Sequence, residues 1–130
     1  MGDLIRCGPF SFNVLEVVYK SQLAESPVAK RPGNLFIAIR LQATNSGGNI
    51  LSLPLMKMES ESGVWIPELE DASGFDGWLG LLRPVEPGAT ETGWMVFDAP
   101  AGNYGLRLTD SAFDAGDSVS VRIPLQPDAG

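Results

Sequence analysis

The stretch Asn34-Leu-Phe-Ile-Ala-Ile-Arg-Leu-Gln-Ala-Thr-Asn45 has the clearest strand pattern in the chain, because its side chains alternate in character from one residue to the next. One alternate set is wholly apolar: Leu35, Ile37, Ile39, Leu41 and Ala43. The other set starts apolar and turns polar from Arg40 onward. A period of two is typical of an extended strand. We expect a strand over residues 34–45 whose first set faces the core and whose other face becomes solvated toward its end.

The same alternation predicts shorter strands on both sides of this one. Residues 10–19 precede it, and a change of phase near Leu15 indicates a β-bulge or a crossover there. Pro54 has no N–H for a ladder hydrogen bond, so an edge position or a bulge is expected around it. After residue 45, strands are predicted over residues 50–58, 64–66, 78–82, 91–98, 104–108 and 118–125.

The number and spacing of these segments indicate the fold class. Seven to nine short strands are separated by turns rich in Gly and Pro, and short turns favour antiparallel pairing. We therefore predict an all-β, immunoglobulin-like antiparallel sandwich in a single domain. A closed barrel is the alternative. The predicted limits are an N-terminal segment at 1–9, the sandwich at 10–125 and a C-terminal tail at 126–130.

Composition and charge narrow the classes of partner. Apolar residues make up 44% of the chain and charged residues 19%, which excludes a disordered chain. The net charge is −7 and the nine basic residues are scattered, so we predict no nucleic-acid binding. No apolar run approaches the roughly 20 residues of a membrane span. The opening residues show no signal peptide, which leaves a cytoplasmic protein or an exported one without its leader as the two interpretations.

The chain lacks the residues that most catalytic and metal sites require. The chain has no histidine, which excludes Ser-His-Asp and Cys-His catalysis as well as histidine-containing metal sites. Its one cysteine, Cys7, cannot form an internal disulfide and is expected to be a partly buried thiol. We predict no cofactor and no catalytic residue. The acids at residues 68–76 are interpreted as solvated loop carboxylates.

Two weaker site hypotheses remain. Asp110, Asp114 and Asp117 provide oxygen ligands of the kind that Ca²⁺ prefers, although an ordinary solvated loop is the alternative. Trp65 directly follows a turn, so it is expected to be the exposed tryptophan and is a candidate binding surface. At least one of the other two tryptophans is expected in the core. The methionines at 56 and 58 are interpreted as core filling.

Several of these stretches also resemble a known family. Residues 34–45 are similar to the Asn-bounded strand of a bacterial domain family of unknown function, which has an immunoglobulin-like fold and is related to the mycobacterial immunoprotective extracellular protein. Residues 87–93 (Pro-Gly-Ala-Thr-Glu-Thr-Gly) resemble its Pro-Gly turn, and residues 94–100 and 104–108 resemble its closing strands. The resemblance implies an exported or lipid-anchored protein. It also implies structural roles for Asn45 and Pro87-Gly88.

The leading functional hypothesis is a non-enzymatic binding or interaction domain of a bacterial exported or cell-envelope protein. An unknown protein partner would contact the loops at residues 20–32, 67–77 and 110–117, or a sheet face or edge. A structural module that associates with its own copy through an edge strand is the alternative. A carboxylate-dependent hydrolase is the third reading.

Overall fold

The computed structural model describes residues 4–20, 35–70, 77–80, 83–100, 102–109 and 118–123, and within these ranges it contains strands but no helix. The described residues form ten strands: β1 (Ile5–Cys7), β2 (Phe10–Lys20), β3 (Leu35–Asn45), β4 (Leu51–Ser52), β5 (Lys57–Ser60), β6 (Trp65–Pro67), β7 (Pro84–Val85), β8 (Thr90–Ala99), β9 (Tyr104–Thr109) and β10 (Ser118–Ile123). With the two-residue strands β4 and β7 set aside, the number lies within the predicted seven to nine.

Two four-stranded sheets pack against each other. Sheet one has the order β1-β2-β3-β8, and sheet two has the order β10-β9-β5-β6. The strand pairs in both sheets are antiparallel, and β4 and β7 form a small third sheet. The chain changes sheets between β3 and β5, between β6 and β8, and between β8 and β9. The predicted all-β antiparallel sandwich is confirmed.

The core lies between the inward faces of the two sheets. In β3 the predicted inward set from Ile37 to Ala43 is buried, whereas Arg40 on the other face is exposed. Sheet two contributes alternate residues of β5 and β9. One contiguous cluster contains side chains of both sheets, among them Phe10, Phe12, Ile37, Ile39, Leu41, Met58, Phe97, Leu106, Leu108 and Ile123. The methionines at 56 and 58 are both buried, as predicted.

A second, smaller apolar cluster lies on the outer face of sheet one. Phe36, Ala38 and Val96 are buried there, and half-buried Trp78 and Trp94 pack against them. This covering explains why the second face of β3 starts apolar before it turns polar. A tryptophan in the core was expected, but neither of these two is fully buried. They cover the outer cluster and do not lie between the sheets.

Of the two alternatives predicted near Leu15, a bulge or a crossover, the structure shows the bulge. The register of β2 against β3 shifts between Val14 and Glu16, so Leu15 is the extra residue. An extra residue reverses the faces that follow it, because side chains alternate along a strand. Val14 before the bulge and Val17 after it can therefore both pack against the core cluster.

One predicted strand, residues 50–58, is divided in two. β4 ends at Ser52 and β5 begins at Lys57, and the chain between them leaves the ladder to pass from the small third sheet to sheet two. Pro54 lies in this gap, where it has no ladder hydrogen bond to donate. The backbone N–H of Met56 bonds a side chain instead of a neighbouring strand. The strand ends before Pro54, where an edge position or a bulge was expected, so the predicted continuous strand was wrong.

The predicted strand at residues 78–82 is also wrong over its described part. Gly77 and Gly80 have φ angles of +84° and +87°, outside the range of regular extended strand backbone. Trp78 makes one isolated parallel bridge with Trp94, and the amide of Leu79 donates to the Trp94 carbonyl at 3.0 Å. This segment covers the edge of β8. The short strand predicted at 64–66 is present as β6, and it pairs with β5.

The turn between β8 and β9 carries a further mark of immunoglobulin-type sandwiches. The Tyr104 hydroxyl donates to the Pro100 carbonyl at 2.5 Å. In that class of fold, a tyrosine near the start of a strand bonds the backbone a few residues upstream in the same way. The contact ties the first residue of β9 in sheet two to the residue that follows β8 in sheet one.

Candidate functional site: an aromatic and basic face on sheet two

The outer face of sheet two is set by the alternation of β5 and β9. Met58 and Leu106 point into the core, so their neighbours Lys57, Glu59 and Arg107 point outward. The register aligns these outward residues in two rows across the four strands. One row runs Pro67, Lys57, Arg107 and Ser120, and the other runs Trp65, Glu59, Gly105 and Arg122.

Trp65 is the large aromatic side chain on this face. It is 41% exposed, which confirms the predicted exposure. The ammonium nitrogen of Lys57 lies 4.7 Å from the centroid of its ring, and the guanidinium carbon of Arg107 lies 5.0 Å from it. Cations at these distances are attracted by the quadrupole of the ring. The indole is therefore held across the sheet by side chains of two other strands.

Positive charge is concentrated on this face of the sheet. Lys57 and Arg107 are directly opposite each other on adjacent strands, and Arg122 lies one row away on β10. The same two rows contain one carboxylate, Glu59. Three of the nine basic residues of a chain with net charge −7 thus lie on one sheet face. We call Lys57, Trp65, Gly105, Arg107 and Arg122 the Trp65 face.

Gly105 makes a shallow place in the middle of the Trp65 face. A Cβ added there would meet no heavy atom within 4 Å, so the space above its backbone is open. Glu59 and Arg122 flank it on the neighbouring strands. A group that approaches this point can reach the sheet more closely than anywhere a side chain stands. The Trp65 face thus combines an exposed ring, three cations and an open floor.

A second polar arrangement is buried and was missed by the sequence analysis. Glu68 and Arg83 are only 3% and 5% exposed, and their side chains form a two-pronged ion pair. The Arg83 Nε also donates to the Gly80 carbonyl at 2.7 Å. The Glu68 carboxylate accepts the Met56 amide at 2.7 Å, and the Met56 carbonyl accepts the Glu68 amide at 3.0 Å. Glu68 was predicted to be a solvated loop acid, and that prediction was wrong.

The ion pair hydrogen-bonds the backbone at Met56 and Gly80, which lie outside the strand ladders. Burial raises the pKa of Glu68, while the hydrogen bond and charge of Arg83 and the Met56 amide act in the opposite direction. Both oxygens of the carboxylate are engaged by these donors. The arrangement is what a buried charge requires in order to be tolerated. We therefore assign Glu68 and Arg83 a structural role in joining the segments around Met56 and Gly80.

The other predicted site residues separate into described and undescribed ones. Asp110, Asp114 and Asp117 lie outside the described residues, as do the loop at 110–117 and all of the loop at 20–32 except Lys20. Of the loop at 67–77, residues 71–76 lie outside. Cys7 is buried, more deeply than the partly buried thiol that was expected, and its thiol lies 3.8 Å from the Leu108 carbonyl. Among the described residues, no group of three or more Cys, Asp and Glu side chains could hold a metal ion.

The basic members of the Trp65 face were also missed by the sequence analysis. Lys57 and Arg107 are 50 positions apart in the chain, and only the register of β5 on β9 makes them neighbours. The available signal was the alternation in residues 104–108, which places Arg107 opposite to the buried leucines. That signal indicates an outward arginine but cannot say what lies beside it.

Comparisons with solved structures show the same fold. The proposed lipoprotein ycdA of Bacillus subtilis aligns over 95% of this chain with a TM-score of 0.76 and 12% identity, and this chain spans 38% of the length of ycdA. The yjhA protein of Bacillus subtilis aligns over 97% of this chain and 98% of its own, with a TM-score of 0.67 and 14% identity. An uncharacterised β-sandwich protein of Clostridium difficile covers 95% and 91%, with a TM-score of 0.59 and 16% identity.

Sequence comparisons add nothing to this structural likeness. No protein-family model and no curated protein matches the chain. At identities of 12–16% the likeness shows the fold alone, which is that of uncharacterised β-sandwich proteins. Over the described residues there is no helix whose length and apolar character would let it cross a bilayer.

Proposed function

We propose that this protein is a non-enzymatic binding domain, and that its partner, a protein, docks on the Trp65 face. The observation that carries the proposal is the exposed ring of Trp65, held by Lys57 and Arg107 on the outer side of a rigid sheet. Tryptophan and arginine are enriched where proteins bind one another. A side chain that is already held in place loses less conformational entropy on binding.

The non-enzymatic part of the proposal is supported by the chemistry of the chain. The absence of histidine from the sequence removes the commonest general base. The buried carboxylate of Glu68 is engaged by Arg83 and by the Met56 amide. These donors hold it in place as part of the fold.

We also propose that the protein acts in the bacterial cell envelope or outside the cell. The support is the resemblance of its strands to an exported or lipid-anchored family, together with the fold that it shares with ycdA, a proposed lipoprotein. Both supports concern location only. The identity of the partner is a separate question.

Site-directed photo-cross-linking in the organism of origin tests this proposal. A photo-cross-linking amino acid is placed at Val64, which is 57% exposed beside Trp65, or at Leu15, which is 37% exposed on the β2 bulge. We expect a defined adduct from position 64, in the envelope or extracellular fraction, that disappears in the Trp65→Ala background. The partner should be recovered chemically unchanged.

Position 15 is the matched control, because it is an exposed apolar site away from the Trp65 face. Equal adducts at both positions, no adduct at position 64, or an adduct that survives Trp65→Ala would contradict docking on the Trp65 face. A partner recovered cleaved or modified would contradict the non-enzymatic role. Adducts found in the cytosolic fraction alone would contradict the location.

A further inference from the structure

We infer that the Trp65 face recognises a short acidic segment of a polypeptide, in which a carboxylate side chain lies next to an apolar one. This inference rests on the proposed function and names the chemistry of the partner. It depends on the two cations at one exposed ring, Lys57 and Arg107, and on Arg122, which lies on the same face on the opposite edge strand. It also depends on the sign of the charge carried by the rest of the molecule.

The arrangement of the cations is the first argument. Lys57 and Arg107 are cross-strand neighbours, and like charges directly opposite each other destabilise a sheet. The ring of Trp65 lies within 5.0 Å of both and offsets part of this repulsion through its quadrupole. A carboxylate placed between them would add a full negative charge beside both cations. With Glu59 set against the three cations, the two rows keep a net charge of +2, so the face is electrostatically complementary to an anion.

The net charge of the molecule is the second argument, because it limits the size of that anion. At −7 the chain as a whole repels extended polyanions such as nucleic acid or an anionic membrane. The positive field of three cations extends only over about one Debye length, roughly 8 Å at physiological salt. One or two carboxylates fit within that distance. A long polymer of like charge would also meet the acidic remainder of the surface.

The shape of the face is the third argument. The open space above Gly105 admits an extended backbone close to the sheet, between Glu59 and Arg122 on the neighbouring strands and next to the row that contains Arg107. The exposed ring of Trp65 lies on the far strand of the same face and offers apolar contact area. A segment that pairs an acidic residue with an apolar one can use both features at once.

Fluorescence anisotropy with defined peptides tests the inference. The probe is a short fluorescein-labelled peptide of glutamate residues with one leucine, and its counterpart has glutamine in place of every glutamate. We expect the acidic peptide to bind at least about tenfold more tightly than its counterpart. Its affinity should fall as salt rises from about 0.01 M to about 0.15 M, because the Debye length shrinks from roughly 30 Å to roughly 8 Å.

Matched charge reversals separate a site from general attraction. The R107E/R122E variant removes two cations from the Trp65 face, whereas R6E/R40E makes the same change at two exposed arginines on the outer side of sheet one. We expect at least about a tenfold loss of affinity in the first variant and less than about threefold in the second. Arg122 is exposed on an edge strand, so R122E alone keeps the test usable if the double variant does not fold.

Three results would overturn the inference: no binding of the acidic peptide to the natural chain, equal binding of both peptides, or equal losses in the two double variants. These results leave the proposed function testable on its own. A Trp65-dependent adduct at position 64 with a partner that lacks such a segment would uphold the docking face and reject the acidic ligand.

Discussion

At the scale of single residues, the most informative side chain is Asn45 at the end of β3. It is fully buried, and its amide nitrogen donates to the carbonyls of Asn49 and Val85 at 2.7 Å and 2.9 Å. Its side-chain oxygen accepts the Gly47 amide at 2.9 Å. The resemblance implied a strand-end side chain that bonds backbone, and the structure confirms that role. One amide thereby satisfies three backbone groups of two turns.

The Asn45→Asp variant tests this role. A carboxylate keeps the shape but turns two donated hydrogen bonds into contacts between acceptors, in a site without solvent. We expect the free energy of unfolding in urea to fall by about 3 kcal/mol or more at neutral pH, because a buried charge loses its hydration and keeps only the Gly47 amide as a donor. The loss should be smaller at acid pH, where the protonated carboxyl donates one hydrogen bond.

Asn49 provides the control for that substitution. Its side chain is exposed, so Asn49→Asp adds the same charge to the same loop without burying it. We expect a change within about 0.5 kcal/mol, which is usual for surface positions. Equal effects at the two positions would show that the added charge, and not the lost donor, destabilises the protein.

At the scale of elements, the long strands were predictable and the crossings between sheets were not. β3 and β8 came within one residue of their observed limits, because period-two alternation acts along the chain and needs no knowledge of partners. The break at Pro54 and the loop around Gly80 depend on which side chains hydrogen-bond the backbone groups that lie outside the strand ladders. Those side chains are the pair of Glu68 and Arg83, separated by 15 positions. Sequence patterns do not indicate such a pairing.

Substitution of this pair should reveal how much it stabilises the crossing. Arg83→Met leaves a buried carboxylate, and Glu68→Leu leaves a buried guanidinium, so each should cost about 3–5 kcal/mol at neutral pH. The double variant E68L/R83M buries no charge and should recover part of that loss. Recovery is partial because the Met56 amide and the Gly80 carbonyl lose their partners. Additive losses in a double-mutant cycle would contradict a coupled pair.

The pH dependence of these variants follows from the raised pKa of Glu68. In the pH interval between the ordinary pKa of 4.5 and the raised pKa of the folded state, Glu68 keeps its proton in the folded chain and loses it in the unfolded chain. The folded chain therefore binds more protons than the unfolded chain in that interval. The free energy of unfolding therefore decreases as the pH rises through it. In R83M the opposing influence of Arg83 is gone, so the interval extends to higher pH and the decrease is larger. E68L/R83M lacks the group, and a decrease of the same size there would refute the assignment.

Only part of the Trp65 face could be predicted from the sequence. The exposure of Trp65 was predictable, because a residue that directly follows a turn on an edge hairpin has few neighbours. Its cations were not predictable, since Lys57, Arg107 and Arg122 come from three strands whose register is known only from the fold. The sequence therefore indicated the exposed tryptophan of this surface but not the basic residues that lie on the same face in the fold.

At the scale of the whole molecule, charge is distributed unevenly over a sandwich held together by packing. The chain has a single cysteine and thus no internal disulfide, and its described core is a continuous apolar cluster shared by both sheets. The net charge of −7 acts against this compact state through self-repulsion. The Trp65 face is a local exception, positive on a negative molecule. Ionic strength therefore affects stability and recognition in opposite directions.

We expect added sodium chloride to raise the melting temperature while it weakens binding of the acidic peptide. Between about 0.01 M and about 0.15 M, screening relieves repulsion among the exposed carboxylates, whereas the buried pair of Glu68 and Arg83 is shielded from the salt. The R6E/R40E variant is more acidic, so its melting temperature should rise more over the same range. Differential scanning calorimetry at both salt concentrations measures this directly. A melting temperature that falls with salt would mean that exposed ion pairs, and not net repulsion, dominate the electrostatics of the surface. In that case the argument that the net negative charge of the surface repels long polyanions from the Trp65 face would lose its basis.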